Sequence, residues 1–225
     1  MSMNRVTERV DLAAMRDQYL QQQLVGDRRA ALQFIEAALR DGASVDEVRC
    51  RIVQDAQREI GRLWQEDRIT IAQEHMATAI SQLALAHLFE RSEFRGRLNR
   101  KILVACVPGE HHEFPARLLA DALEVNGYDV RFLGADVPLD SLTHSIEAEN
   151  PDVVALSMTM LFHLSALREA VGVVRGLKKP GTLIAIGGSL FESTPALAAD
   201  IGADLVASDA SDFISQLTQK LSARA

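Results

Sequence analysis

Residues 110–113 read Glu-His-His-Glu, a run in which imidazole and carboxylate stand close enough to share a proton or to hold a metal ion. In a tight loop one histidine can turn outward while a carboxylate two residues earlier accepts the proton of its other ring nitrogen. That contact fixes the tautomer and raises the basicity of the outward nitrogen. Glu110 and His112 have this spacing, and His111 is the neighbour left over. No cysteine or third histidine stands nearby at zinc spacing, so a zinc site built from side chains alone is not expected. Further on, Ser157-Met158-Thr159 and Gly187-Gly188-Ser189 offer small and hydroxyl-bearing residues suited to lining a narrow slot. In the first half, the single tryptophan, Trp64, precedes Glu74-His75 by ten and eleven residues. Each feature also has a plain reading: a polar loop residue, a tight glycine turn, a core tryptophan, a surface pair near a helix start.

The elements that must position these residues follow from periodicity. KILVACV before the histidines reads as a strand, and ARLLADALEVNG after them as a helix closed at Asn126-Gly127. The loop between holds one glycine, Gly109, so it is not the glycine-rich turn that admits phosphate in nucleotide-binding folds. YDVRFLG, DVVALSM, TLIAIGG and ADLVASD complete a set of short apolar runs, with helical stretches of ten or more residues expected between them. Strands apolar on both faces and joined by helices make a parallel sheet covered on both sides. The expected second domain, over 101–225, is therefore a five-stranded doubly wound α/β unit, flavodoxin-like or Rossmann-like. Its ligands belong at the carboxyl ends of the strands, at 108–115, 134–138, 157–160, 187–190 and 208–211.

Residues 8–94 carry only helical patterning, in segments of roughly 9–24, 28–41, 45–66 and 70–91. Ser44 and Glu47 have capping-box spacing, and Val48, Ile52, Ala56, Ile60 and Leu63 then mark one buried face. Short connections between the segments imply a four-helix bundle. Between the domains, a linker over 95–100 falls in the basic cluster Arg91, Arg95, Arg97, Arg100 and Lys101, interleaved with Glu90 and Glu93, which reads as a solvated segment. Ser193-Thr194-Pro195 reads as a helix start.

With 225 residues, 48% of them hydrophobic, the chain can bury a core without staples. Cys50 and Cys106 read as small core residues of a reducing compartment. The N-terminus has charges where a signal peptide needs an apolar run, no segment is long enough to span a membrane, and the expected location is cytoplasmic. A net charge of −7 argues against a surface that neutralises phosphates, so no direct nucleic-acid binding is expected. No nucleophile stands beside a supported base, and the chain is not read as an enzyme.

Taken together, Glu110-His111-His112-Glu113-Phe114-Pro115, Ser157-Met158-Thr159 and Gly187-Gly188 resemble the motif of cobalamin (vitamin B12) binding domains, Asp/Glu-x-His-x-x-Gly, Ser-x-Leu/Thr and Gly-Gly. The resemblance implies that His112 is the metal ligand, binding cobalt in place of the cofactor's own benzimidazole, with Glu110 as its partner. Ser157, Thr159, Gly187 and Gly188 would line the slot for the detached nucleotide tail. Pro115 departs from the motif glycine; it removes a backbone donor and fixes φ. The passage IGRLWQEDRITIAQEHMATAISQ resembles the helical cap of CarH-type B12 photoreceptors, which implies that Trp64, Glu74 and His75 cover the upper face of the cofactor. Gly26-Asp27, Gly42 and Ile60-Gly61 agree with it. Where light-sensing members carry a histidine beside the tryptophan, this chain has Gln65. CarH-type regulators also carry an N-terminal DNA-binding domain, and about eight residues precede the first helix here, so binding to an operator in their manner is not expected.

Three functions follow from the resemblance. The first is a light-responsive regulator that holds adenosylcobalamin and acts through a protein partner, a transcription regulator, as stand-alone regulators of the AerR type do. The second is a corrinoid carrier that passes a methyl group between methyltransferase partners, for which methylcobalamin would be the bound form; hydroxocobalamin is a further form. Trp64 with Glu74-His75 favours the first, because a carrier's cap must open and uses smaller apolar residues. The third is a scaffold that has lost the cofactor, motivated by Pro115. A homo-oligomer is compatible with each.

Overall fold

The computed structural model describes residues 10–222 apart from 178, 199 and 208. The chain divides into two compact units, Met1–Ser92 and Glu93–Ala225. Residues 8 and 9, where the first helix was expected to begin, and Ser208, at the end of the fifth strand, lie outside the described residues.

In the first unit the helices begin where side chains satisfy their unpaired amides. Asp11 accepts from Ala14 N at 3.0 Å to open α1 (Leu12–Val25), and Asp27 accepts from Ala30 N at 2.9 Å to open α2 (Arg28–Arg40). The capping box of Ser44 and Glu47 is formed at the start of α3 (Val45–Glu47). A π-helical stretch (Val48–Gln54) and then α4 (Asp55–Gln65) continue it without a break. A second capping box, Thr70 with Gln73, opens α5 (Ile71–Glu90). The core between these helices includes Tyr19, Ile35, Ile52, Ile60, Leu85 and Leu88.

Two local expectations change. The segment expected as one regular helix over 45–66 carries the π-helical turns in its middle, where Arg49 is buried and bonded to Asp46 (2.6 Å) and Ser92 (2.9 Å). Cys50, expected in the core, is exposed. Two residues past Val48, it is carried about half a helical turn away from the face that Val48 and Ile52 bury. Cys106 is buried as expected.

The second unit is a five-stranded parallel sheet in the order β2-β1-β3-β4-β5. The strands are β1 (Lys101–Cys106), β2 (Asp129–Phe132), β3 (Val153–Ser157), β4 (Leu183–Gly187) and β5 (Leu205–Ala207). Side chains alternate between two cores. Leu103, Ala105, Val154, Leu156, Ile184 and Ile186 face α7 (Leu139–Glu149) and α8 (Leu164–Leu177). Ile102, Val104, Val153, Ala155, Leu183 and Ala185 face α6 (Phe114–Val125) and α10 (Ala210–Ser222). This two-sided burial explains the continuous apolar runs of the sequence.

The connection from β4 to β5 is not the long helix expected there. It is a short α9 (Ser189–Ser193) followed by a 3-10 turn (Pro195–Ala198). Proline at 195 disfavours helical backbone at the residue before it, and Thr194 sits at φ −140°, ψ 65°. The segment read as a solvated linker is exposed but not loose. Arg95 N–H donates to Val125 O (2.8 Å) and Leu98 N–H to Gly127 O (2.9 Å), while Arg100 pairs with Asp152 and Lys101 with Glu149.

Gly127 makes this docking possible. It sits at φ +92°, and a Cβ there would lie 2.2 Å from Gly96 O. Gly127→Ala should therefore cost more than about 1 kcal/mol in urea unfolding, and amide exchange at Arg95 and Leu98 should accelerate. Unchanged exchange at both amides would contradict this account of the segment.

Candidate functional site

The strand order reverses between β1 and β3, and in such sheets the loops that leave neighbouring strands in opposite directions open a crevice at their carboxyl ends. The loop after β1 is pinned there from the side. Gly109 N–H donates to Asp136 Oδ1 at 2.7 Å, and Asp136 N–H donates to Glu110 O at 2.8 Å. These bonds turn Glu110 inward, where it is completely buried.

Both oxygens of that carboxylate are used. Oε1 accepts from His112 N at 2.9 Å and from His112 Nδ1 at 2.5 Å. Oε2 accepts from Thr159 N at 2.7 Å, Met160 N at 3.1 Å and His163 Nδ1 at 3.1 Å. Burial by itself would raise the Glu110 pKa, but the bonds from His112, from the Thr159 amide and from His163 outweigh it and hold the carboxyl well below the usual carboxylate range. An ionised Glu110 fixes the proton of His112 on Nδ1, which leaves Nε2 as the ring nitrogen able to bind a metal. The His112 side chain is 42% exposed, so that nitrogen is on an accessible ring.

His163 was not singled out from the sequence. It stands 53 residues from Glu110, in the 3-10 turn Leu161–His163 that follows β3, and no short motif links the two. Its ring packs on Gly109, where a Cβ would lie 3.1 Å from Nε2, and makes an edge contact with Phe162. His111 is exposed.

The remaining sheet residues form one row. Register aligns Cys106 with Ser157, Ser157 with Gly187 and Gly187 with Ala207, so the ends of four strands carry only small side chains. The Ser157 and Thr159 hydroxyl oxygens are buried without a hydrogen-bond partner of good geometry. Burial, with the charges of Glu110 and Glu113, pushes the neighbouring Cys106 thiol up to about 12 against a smaller opposing effect of Ser157, so this thiol stays protonated at neutral pH. Gly188 has φ +124° and its Cβ would fall 2.0 Å from Met158 O, while at Gly187 a Cβ would reach Ala207 O at 3.4 Å. Side chains are thus excluded at 188, and Gly187 stays narrow.

Pro115 lies in the first turn of α6, whose first internal amide bond runs from Arg117 N to Glu113 O at 2.8 Å. An amide at 115 would have no partner within the helix, so the proline removes no helical bond.

In the helical unit, Trp64 is half-buried near the end of α4. Glu74, in the first turn of α5, accepts from Thr78 Oγ1 at 2.7 Å and stands 3.7 Å from His75, whose side chain is 73% exposed. From Thr78 a polar chain runs inward: Gln57 Nε2 donates to Thr78 Oγ1 (2.6 Å), Ser81 Oγ donates to Gln57 Oε1 (2.8 Å), and Gln23 Nε2 donates to Ser81 Oγ (2.8 Å) and to Ala77 O (3.0 Å). It joins Glu74 to α1 through α4 and α5.

Residues 100–217, more than half of the chain, match the B12 binding domain, and residues 15–89 match a second family of the same description. The chain belongs to the B12 binding domain family. It is 29% identical over 168 residues to the HTH-type transcriptional repressor CarH of Myxococcus xanthus, a match covering 74% of this chain and 54% of that protein, so the chain spans about half of CarH. It is 24% identical over 168 residues to dimethylamine corrinoid protein 2 of Methanosarcina acetivorans, covering 72% of this chain and 76% of that one. An uncharacterised 20.5 kDa protein from the bchF-crtJ intergenic region of Rhodobacter capsulatus is 28% identical over 179 residues, covering 77% of this chain and 92% of its own. Among solved structures, the Methanosarcina barkeri monomethylamine corrinoid protein shares the fold with a TM-score of 0.75, at 17% identity, covering 92% of this chain and 97% of that one.

The residues present fit a B12 cofactor. A corrin ring brings its own nitrogen ligands to cobalt, so one protein imidazole suffices. Among the described residues no group of three or more His, Cys, Asp or Glu could hold a metal ion by itself. The buried Ser157 and Thr159 hydroxyls and the glycines at 187 and 188 would accept a narrow polar tail. No helix among the described residues is long and apolar enough to cross a membrane.

Replacing Glu110 by glutamine tests the site's electrostatics without cofactor. An amide cannot accept from every donor around it, so Glu110→Gln should lower stability at pH 7 by about 2–4 kcal/mol. Because the folded-state pKa is depressed, the wild-type advantage is fully present above the ordinary value of 4.5 and is lost as pH falls below it toward the folded value. Urea unfolding of both proteins between pH 7 and pH 3 would measure this; a pH-independent difference would refute the ionised carboxylate.

Proposed function

We propose that this cobalamin-binding protein is a regulator that senses light through adenosylcobalamin and signals through a protein partner, a transcription regulator. His112 Nε2, oriented by Glu110, would bind the cobalt. Ser157, Thr159, Gly187 and Gly188 receive the nucleotide tail, and Trp64, Glu74 and His75 of the helical unit are assigned to the upper ligand. Adenosylcobalamin, when bound, supplies a cobalt–carbon bond that light cleaves. The chain's own part is to keep His112 in one tautomer, to hold Glu74 at the end of the bundle's polar chain, and to offer Trp64 as a contact that would differ between the two states of the cofactor. A ligand shifts a protein only through such differential contacts.

The observation that carries this reading is the large indole at position 64 with Glu74-His75 following it in a bundle, a set of groups suited to packing on a bulky upper ligand rather than to opening for methyl transfer. The similarity to CarH supports it. A second reading, a corrinoid methyl carrier, is favoured by the similarity to dimethylamine corrinoid protein 2. A third reading, a scaffold without cofactor, rests on Pro115 alone, whereas both halves of the chain match B12 binding domains.

Purified protein mixed with adenosylcobalamin in the dark should show a base-off/His-on spectrum, and His112→Ala should abolish it. Brief illumination should then change the spectrum together with the affinity for a co-expressed regulator or the oligomeric state. Dark methyl transfer to an added methyltransferase, without a response to light, would replace the sensor by the carrier. No uptake at all would refute both.

A further inference from the structure

The hydrogen bonds inside the helical unit all run toward Glu74. At the inner end Gln23 is completely buried, and its amide nitrogen donates to Ala77 O at 3.0 Å and to Ser81 Oγ at 2.8 Å. A backbone carbonyl only accepts, so the nitrogen has to face that way, and Gln23 Oε1 is left buried with no hydrogen-bond partner. Turned over, the amide would set this oxygen against Ala77 O. Ser81 Oγ therefore receives a proton from Gln23 and gives its own to Gln57 Oε1 at 2.8 Å. Tyr19 Oη is farther from Ser81 Oγ, at 3.5 Å.

With the oxygen of its amide turned to Ser81, Gln57 has its nitrogen turned to Thr78. Nε2 donates to Thr78 Oγ1 at 2.6 Å, and the single proton of the Thr78 hydroxyl then goes to Glu74 Oε1 at 2.7 Å. Bonds aligned head to tail in this way polarise and strengthen one another. The Glu74 side chain is 13% exposed, and its second oxygen, Oε2, stands 3.7 Å from His75 Nε2, outside the aligned series. We propose that Gln57 is a positioning residue for the upper ligand. By committing the Thr78 proton to Oε1 it leaves Oε2 to accept from a hydroxyl or amine, so the cap favours adenosyl, which carries such groups, over methyl, which has none. The proposal rests on the assignment of Glu74 to the upper ligand of a bound cobalamin.

Gln57→Glu keeps the shape of the side chain and still accepts from Ser81, but a carboxylate cannot donate to Thr78. Thr78→Val removes the next link, and Thr78→Ser restores it. In dark titrations with adenosylcobalamin, Gln57→Glu and Thr78→Val should each bind about three- to tenfold more weakly than wild type, and Thr78→Ser should match wild type. Methylcobalamin, which has the same corrin and tail, should bind to all of them alike. Equal weakening toward both cobalamins, or no weakening, would reduce Gln57 to packing and overturn the proposal. NMR of the glutamine side-chain amides tests the series without cofactor: in apo protein the Gln57 amide protons should move upfield in Thr78→Val and return in Thr78→Ser. Unmoved amide protons would overturn the proposal even where cobalamin binds, whereas uptake of neither cobalamin by wild type removes the cofactor reading and the proposal with it.

Discussion

A completely buried carboxylate is the constraint around which the second unit is arranged. Glu110 is held ionised with no solvent to stabilise it, which is tolerable only because donors converge on both its oxygens from two loops of the sheet. Those loops follow β1 and β3, and they meet because the strand order reverses there. A sheet with β1 and β3 apart could not satisfy the same charge. The Gly109–Asp136 and Asp136–Glu110 bonds serve the same end, since they hold the chain in the turn that points Glu110 inward.

This arrangement separates two tasks that are often combined in one loop. The carboxylate and its donors are interior and rigid, whereas the His112 ring they orient is partly exposed. The strand ends beside it are marked instead by what is missing: only small residues across four strands, and a glycine at 188 that no side chain can replace. Such a site has its directional groups fixed before any ligand arrives, which reduces the ordering cost of binding.

Much of this was legible in the sequence where the relevant contacts are local. The strands were visible because burial on both faces makes continuous apolar runs, and the Ser44–Glu47 cap because its partners are three residues apart. Glu110 and His112 were legible as a pair for the same reason, being two residues apart. His163 was not, because its bond to Glu110 spans 53 residues and depends on strand order, which periodicity does not encode. The π-helical turns at Val48–Gln54 use residues that also suit an α-helix, so nothing in their types announces the wider turn. The short β4–β5 crossover was announced by Pro195, which was read as the beginning of a helix without the break it imposes on Thr194. The exposure of Cys50 is legible too, since two residues from Val48 is about half a helical turn.

The polar chain inside the bundle has a further consequence. Apolar side chains tolerate small rotations of one helix against another, since oily contacts are nearly equivalent over a range of angles. Gln23, Gln57, Thr78 and Ser81 are directional, and they come from α1, α4 and α5. All of their bonds close in the angular setting that these three helices adopt. The carboxylate of Glu74 is therefore tied, through Thr78, Gln57 and Ser81, to Gln23 deep in the helical unit as well as to the turn that carries it.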